Sequence, residues 1–226
     1  MNKKKLICFY AVSAVLAIFV GMRFLSKDEY SSLPPLEKGL SLYQKGNYNQ
    51  AIVFLAQADS FNMPEASFAL GAMHFAGKGV KINVPKAMAY YRKAADLGYA
   101  PALTTMAFLF MQGEKVEKDE GKAVELAKKA AELNDAEAQM ILAGWYENGT
   151  GVEQDVEEAV RFYKMAARNG DPNAKIALAV IYKNGKGNVP PNEYAARRWE
   201  ASINKQQKLE NLFQNRRADY IEKITP

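Results

Sequence analysis

Hydrophobic residues recur along much of the chain at the spacing of one helix face. Ala138, Ile141, Leu142 and Trp145 lie three or four positions apart, which predicts an amphipathic helix. A short glycine-containing segment follows and ends at Asp155. The side chain of Asp155 can accept hydrogen bonds from the free amide groups of a first helical turn. The pattern therefore predicts two helices joined by a turn.

This pattern returns every 36 residues without an insertion. The first glycine of a Gly-x-Gly pair stands at Gly77, Gly113, Gly149 and Gly185, and Lys115 replaces the second glycine in one copy. A phosphate-binding glycine loop would follow a buried strand and carry a third Gly, or a Lys and a hydroxyl residue. Four turns in register are typical of stacked helical hairpins instead.

The amino terminus has a different composition. Three lysines precede an uncharged apolar run from Leu6 to Met22, which Arg23 closes. At roughly 1.5 Å per helical residue, this run just crosses a hydrocarbon core. Lysines on its amino side favour an inside amino terminus and place the rest of the chain across the membrane. We therefore expect residues 6–22 to anchor the protein.

A cleavable signal peptide is the alternative to an anchor. The residues after the apolar run, GMRFLSKDE, offer no cleavage site of the A-x-A type. We therefore expect a single-pass protein of the bacterial inner membrane with its repeats in the periplasm. Cleavage would instead release the repeats into the periplasm.

The net charge of +5 does not by itself indicate a polyanionic partner. Residues 1–23 hold four of the 30 basic residues and no acid. The rest of the chain carries 26 basic against 25 acidic residues, so nucleic acid is not expected as a partner.

Residues that usually carry catalysis are scarce. His74 is the single histidine and Cys8 the single cysteine of the chain. Zinc sites, histidine-dependent triads and cysteine catalysis therefore find few candidate residues. His74 as a general base, and Glu157 with Glu158 as an acid–base pair, are weaker interpretations than packing and a solvated helix face. We expect no enzyme, no cofactor, no metal and no small-molecule substrate.

The segment from Leu142 to Ala174, LAGWYENGTGVEQDVEEAVRFYKMAARNGDPNA, resembles the Sel-one-like repeat of the tetratricopeptide superfamily. The resemblance covers about residues 66–203. Lys38 to Ala66 is closer to a classical tetratricopeptide unit with a shorter turn. His74 and Phe110 depart from the usual tyrosine held at Tyr146 and Tyr182. The resemblance implies an all-α fold, a right-handed α-solenoid of helix-turn-helix repeats.

These observations predict four regions. Residues 1–25 are the anchor, 26–35 a linker, 36–203 about five helical hairpins, and 204–226 a C-terminal capping helix. Leu209, Leu212 and Phe213 are available to cover the open end of the array.

By the same resemblance, the first helices of successive repeats line a concave groove. Its predicted partner-binding residues are Leu40, Tyr43, Phe68, Phe75, Phe108, Met111, Met140, Glu147, Ile176 and Val180. An exposed apolar groove is expected to have an occupant. Some of these residues could instead be core.

We expect a non-catalytic module that binds another protein. Similar exported proteins include immunity proteins that neutralise antibacterial type VI secretion effectors, lipases in particular, and this is the specific function that we predict. The alternative is an envelope scaffold or signalling regulator that binds a resident membrane or periplasmic protein.

Overall fold

The computed structural model describes residues 34–224, with side chains up to Lys208 and at Asn211. All the regular elements in this range are helices. They are α1 Pro35–Gln44, α2 Tyr48–Ser60, α3 Pro64–Ala76, α4 Val84–Asp96, α5 Ala100–Gln112, α6 Glu120–Glu132, α7 Ala136–Asn148, α8 Val156–Arg168, α9 Pro172–Asn184 and α10 Glu193–Ile224. The all-α hairpin prediction is confirmed, whereas the right-handed superhelical path stays a prediction.

The chain divides into two compact units, one up to Ala138 and one from Gln139 onward. In the first unit, α1 packs on α2, α3 on α4, and α5 on α6, and each hairpin contacts the next through α2 with α3 and α4 with α5. In the second unit, α9 packs against both α8 and α10. Each unit is therefore built mainly from contacts between helices that are neighbours in sequence, with a smaller contact of α1 with α3 in the first unit.

The glycine turns take a backbone conformation that favours glycine. Gly77 and Gly113 follow α3 and α5 with φ of 73° and 68°, in the left-handed region. Lys115, which replaces the second glycine of its pair, also has a positive φ of 63°. A positive φ is costly for residues with a Cβ atom and cheap for glycine. The glycine pairs are thus turns, as the sequence predicts.

Polar side chains begin the second helices where the sequence predicts them. Asn83 and Asp119 each accept a hydrogen bond from the backbone N–H three residues later. Asp155 accepts from the N–H groups of Glu157 and Glu158. Such caps satisfy amide groups that a helix itself leaves without partners.

Small residues recur at one buried position of the second helices. Ala51, Ala87, Ala123 and Ala159 are fully buried at the same position of successive repeats. Larger side chains fill the space around them, with Phe68 and Tyr91 in the core of the first unit and Leu142 and Leu178 in the second. The 36-residue period of the sequence therefore corresponds to a repeated arrangement of buried side chains.

Two predicted regions, at the two ends of the chain, extend beyond the described residues. The anchor at residues 6–22 and most of the linker lie outside them. From Pro35 to Ile224, none of the helices combines the length and hydrophobicity that crossing a bilayer requires. The predicted boundary between residues 203 and 204 falls inside the continuous helix α10. The side chains of Leu209, Leu212 and Phe213 also lie outside the described set.

Candidate functional site

The predicted groove residues differ widely in exposure. Leu40, Tyr43, Phe68, Phe75 and Met111 are buried, whereas Phe108, Met140 and Glu147 are half-buried. Ile176 and Val180 are 49% and 52% exposed. The predicted set therefore divides into core residues and surface residues.

Leu40 and Phe68 are core residues, which corrects their prediction as partner contacts. Phe68 is fully buried, with its ring centroid 5.5 Å from that of Tyr91 and 5.3 Å from that of Tyr99. Leu40 is 3% exposed in the same cluster. Contacts within the chain cover the apolar surface of both side chains. A partner could therefore reach them only by displacing helices. The sequence interpretation that some of these positions are core describes them correctly.

Tyr43 and Phe75 are each covered by a lysine from a turn. The Nζ atom of Lys78 donates to the hydroxyl of Tyr43 at 3.0 Å and lies 4.8 Å from its ring centroid. The Nζ atom of Lys115 lies 4.6 Å from the ring centroid of Phe75 and donates to its carbonyl oxygen at 3.1 Å. Both rings are therefore already in contact with a lysine of the same chain.

Glu147 joins three segments of the second unit. Its carboxylate accepts a hydrogen bond from the hydroxyl of Tyr163 on α8 and pairs with Lys186 in the turn after α9. Burial disfavours the charged form, but the hydrogen bonds from Lys186 and Tyr163 outweigh it and lower the pKa of Glu147. The same burial and the bond to Glu147 raise the pKa of Tyr163. The helical pattern of α7 does not reveal this cluster, because Tyr163 and Lys186 lie outside the helix face that contains Glu147.

Ile176 and Val180 are the predicted residues most open to a partner. They lie four positions apart on α9 and therefore on one helix face. Contact of a partner with these two side chains, and with half-buried Phe108 and Met140, stays a prediction.

His74 packs in the repeat as an aromatic residue would. It is 6% exposed, and its ring stacks on that of Tyr90 with centroids 5.7 Å apart. Neither ring nitrogen has a hydrogen-bond partner of good geometry among the described residues. Burial, and then the charge of Lys86, lower the pKa of His74, although the nearby backbone of Lys81 acts to raise it. A buried neutral imidazole stacked in this way fits packing better than proton transfer.

The acidic residues considered for catalysis have structural contacts. The backbone N–H groups of Glu157 and Glu158 donate to Asp155, and the Glu158 carboxylate pairs with Arg161. Within the part of the chain that the structure describes, no group of three His, Cys, Asp or Glu side chains is placed to hold a metal ion.

A run of eight helices of 13 residues each, from α2 to α9, together with capped second helices and left-handed glycine turns, defines a protein of the helical-repeat class. The Sel1 repeat family model matches residues 64–99, 100–135, 136–171 and 172–199. These matches cover more than half of the chain, which therefore belongs to the Sel1 repeat family. Proteins of this family typically serve as non-catalytic scaffolds that bind other proteins, and no enzyme family is indicated.

Solved structures share the fold. A Sel1 repeat protein from Oxalobacter formigenes is 28% identical with a TM-score of 0.66, over 77% of this chain and 69% of its own. A protective antigen of uropathogenic Escherichia coli strains is 21% identical with a TM-score of 0.65, over 88% of this chain and 41% of its own. This chain thus spans less than half of the antigen.

An immunity protein from Pseudomonas aeruginosa is also similar in fold. It is 19% identical with a TM-score of 0.57, over 88% of this chain and 80% of its own. At this identity the likeness is one of fold. No curated protein matches the sequence.

Proposed function

We propose that this protein is an immunity protein that binds and neutralises an antibacterial type VI secretion effector of the lipase or phospholipase class. The observation that carries the proposal is the uninterrupted series of Sel1 repeats from residue 64 to 199, because this family typically binds other proteins. The fold shared with an immunity protein from Pseudomonas aeruginosa supports the more specific role.

In this proposal the apolar run at residues 6–22 holds the repeats on the outer side of the inner membrane. An effector that attacks the envelope would then be met where it acts. Binding would block the effector's active site or its access to lipid, without any reaction by this protein.

A competition experiment tests the proposal. The parent bacterium and a mutant lacking this protein are each mixed with an attacking sibling whose type VI system is either active or disabled. We expect the mutant to lose about tenfold or more in survival against the active attacker alone, and the full chain to restore survival. Equal survival of mutant and parent would refute the immunity role and leave the envelope scaffold or regulator.

Surface variants then ask where the effector binds. Ile176→Asp with Val180→Asp places two charges on the exposed face of α9. Val53→Asp with Phe61→Asp, at exposed apolar sites on α2 and directly after it, adds the same charge elsewhere and is the matched control. We expect the α9 variant to lose protection and the control to keep it. Protection by both variants would move the contact away from Ile176 and Val180.

A further inference from the structure

A pocket of about 540 Å³ opens in the second unit between α8, α9 and α10. This volume lies within the range of ordinary ligand clefts. Its walls carry three cationic side chains and three aromatic rings, namely Lys164, Arg168, Arg198, Tyr182, Tyr194 and Trp199. Among the side chains that the structure describes, no acidic residue lines it.

The positive charge of this pocket is not balanced by nearby carboxylates. Among the described residues, none of its three cationic side chains takes part in an ion pair. The acidic residues nearest in sequence on α10 are already paired, Glu193 with Arg197 and Glu200 with Lys183. The pocket therefore presents a positive potential to a ligand.

A comparison within the chain shows that this charge is particular to one repeat. A pocket of about 600 Å³ occupies the equivalent place between α4, α5 and α6. Asp96 lies two 36-residue periods before Arg168, and Glu125 corresponds to Arg198 when the capping residues Asp119 and Asn192 are aligned. The pocket between α4, α5 and α6 is lined by three acidic and three basic side chains, and Glu125 pairs with Lys129. The packing of the helices does not by itself require a pocket lined only by cations, because the equivalent repeat folds with acidic and basic side chains in the same place.

The aromatic rings support the cations. The Nζ atom of Lys164 lies 5.5 Å from the ring centroid of Tyr182, and the Cζ atom of Arg198 lies 5.9 Å from that of Tyr194. Tyr194 is nevertheless 73% exposed. A large exposed ring beside unpaired cations offers both an apolar and a charged contact, as interfaces commonly do.

We propose that this pocket binds an acidic peptide segment of a partner protein, with carboxylates on the three cations and apolar side chains against Tyr194 and Trp199. Lys164 and Arg168 are four residues apart on α8, a rise of about 6 Å. Alternate side chains of an extended peptide are about 6.6 Å apart, so two carboxylates of such a peptide match this spacing. The inference rests on the proposed role as a protein-binding module, whichever partner that role involves.

Fluorescence anisotropy with the full chain in nonionic detergent tests the inference. The probe is a fluorescein-labelled octapeptide that alternates Asp or Glu with Leu or Phe, and its counterpart carries Asn or Gln in place of the acids. We expect the acidic probe to bind about tenfold or more tightly than its counterpart, since charge-assisted contacts carry the binding. Equal binding of the two probes would overturn the proposal.

Variants locate the binding. Arg168→Asp with Arg198→Glu introduces the residues that the equivalent pocket carries, so the fold should tolerate them. Arg92→Glu with Lys122→Glu makes the same charge change in the equivalent pocket. We expect the first pair to weaken the acidic probe by about tenfold and the second to leave it within about twofold. Equal losses in both pairs would mean a diffuse charge effect and would overturn the site.

Two competitors test whether the pocket prefers an acidic peptide to other anions. Inorganic phosphate at millimolar concentration and vesicles of phosphatidylglycerol are each offered as competitors of the peptide probe. Displacement of the probe by phosphate but not by vesicles would indicate a simple anion site. Preferential binding to vesicles would indicate a lipid-binding surface. Either result would replace our proposal. Probe binding needs no effector, so its failure is distinguishable from failure of the immunity role in the competition experiment.

Discussion

Gly71 on α3 shows how one residue sets the distance between two helices. A Cβ atom at Gly71 would lie 2.8 Å from two ring carbons of Tyr91 on α4. Tyr91 is 1% exposed and has no room to move away. Later repeats carry Ala107, Ala143 and Ala179 at this position, so the glycine is required by the local packing and not by the repeat.

We expect Gly71→Ala to reduce the free energy of unfolding by about 1–3 kcal/mol, because overpacking forces side chains and backbone to shift. Gly144→Ala is the matched control, since a Cβ atom there meets nothing within 4 Å. It should stabilise α7 by about 0.5–1 kcal/mol. Urea unfolding of both variants measures the difference, and destabilisation by both would contradict the packing argument.

His74 makes stability depend on pH. The folded chain lowers its pKa below the usual 6.5, so the unfolded chain takes up a proton more readily. The stabilisation is complete above pH 6.5, and we expect it to be lost as the pH falls below that value. His74→Phe, which introduces the residue of the equivalent Phe110, should remove this part of the dependence. The check is urea unfolding at pH 7.5 and 5.5, where equal losses in the two proteins would refute it.

At the scale of the helix and turn, the second unit has a charged cluster in place of purely apolar packing. Glu147 at the end of α7 holds α8 through Tyr163 and the next turn through Lys186. Its side chain is 18% exposed, whereas the Glu193 and Arg197 side chains of an ion pair on α10 are 77% and 75% exposed. Burial makes the loss of a charged partner more costly than at the surface.

We expect Glu147→Gln to reduce the free energy of unfolding by about 1–3 kcal/mol, because it weakens two bonds to a charged acceptor. Glu193→Gln, the exposed control, should change it by less than about 0.5 kcal/mol. Because the pKa of Glu147 is lowered, its stabilisation is present above the usual carboxylate range and is lost as the pH falls through and below that range. Equal effects of the two variants in thermal unfolding would show that the cluster adds nothing.

The turns at this scale were the part best predicted from sequence. Glycine at Gly77 and Gly113 and an acceptor at Asp119 or Asp155 act through local backbone geometry, which the sequence states directly. Lys115 breaks the glycine pattern, but the local sequence does not reveal its contact with the ring of Phe75, 40 residues earlier.

At the scale of the whole molecule, most contacts within each unit join helices that are neighbours in sequence, as in other repeat proteins. Gly71 and Tyr91 belong to the first unit, and Glu147 with Tyr163 and Lys186 to the second. Among the described residues, the contacts given above for the two sets involve different partners.

We therefore expect the effects of Gly71→Ala and Glu147→Gln on the free energy of unfolding to add within about 0.5 kcal/mol in the double variant. Denaturant unfolding of the wild type, both single variants and the double variant gives the coupling energy. A coupling above about 1 kcal/mol would show that the two clusters are energetically linked.

Local sequence is enough to specify the helical hairpins, their period, their glycine turns and their caps, because each depends on residues close together in the chain. It also supplied the ten groove candidates, but only the tertiary structure separated buried Leu40 and Phe68 from exposed Ile176 and Val180. Burial depends on which neighbouring helix covers a face, and a helical period alone cannot distinguish a face covered by another helix from one open to a partner. The cationic pocket also depends on tertiary packing, since Lys164 and Arg198 lie on different helices and come together only in the folded chain.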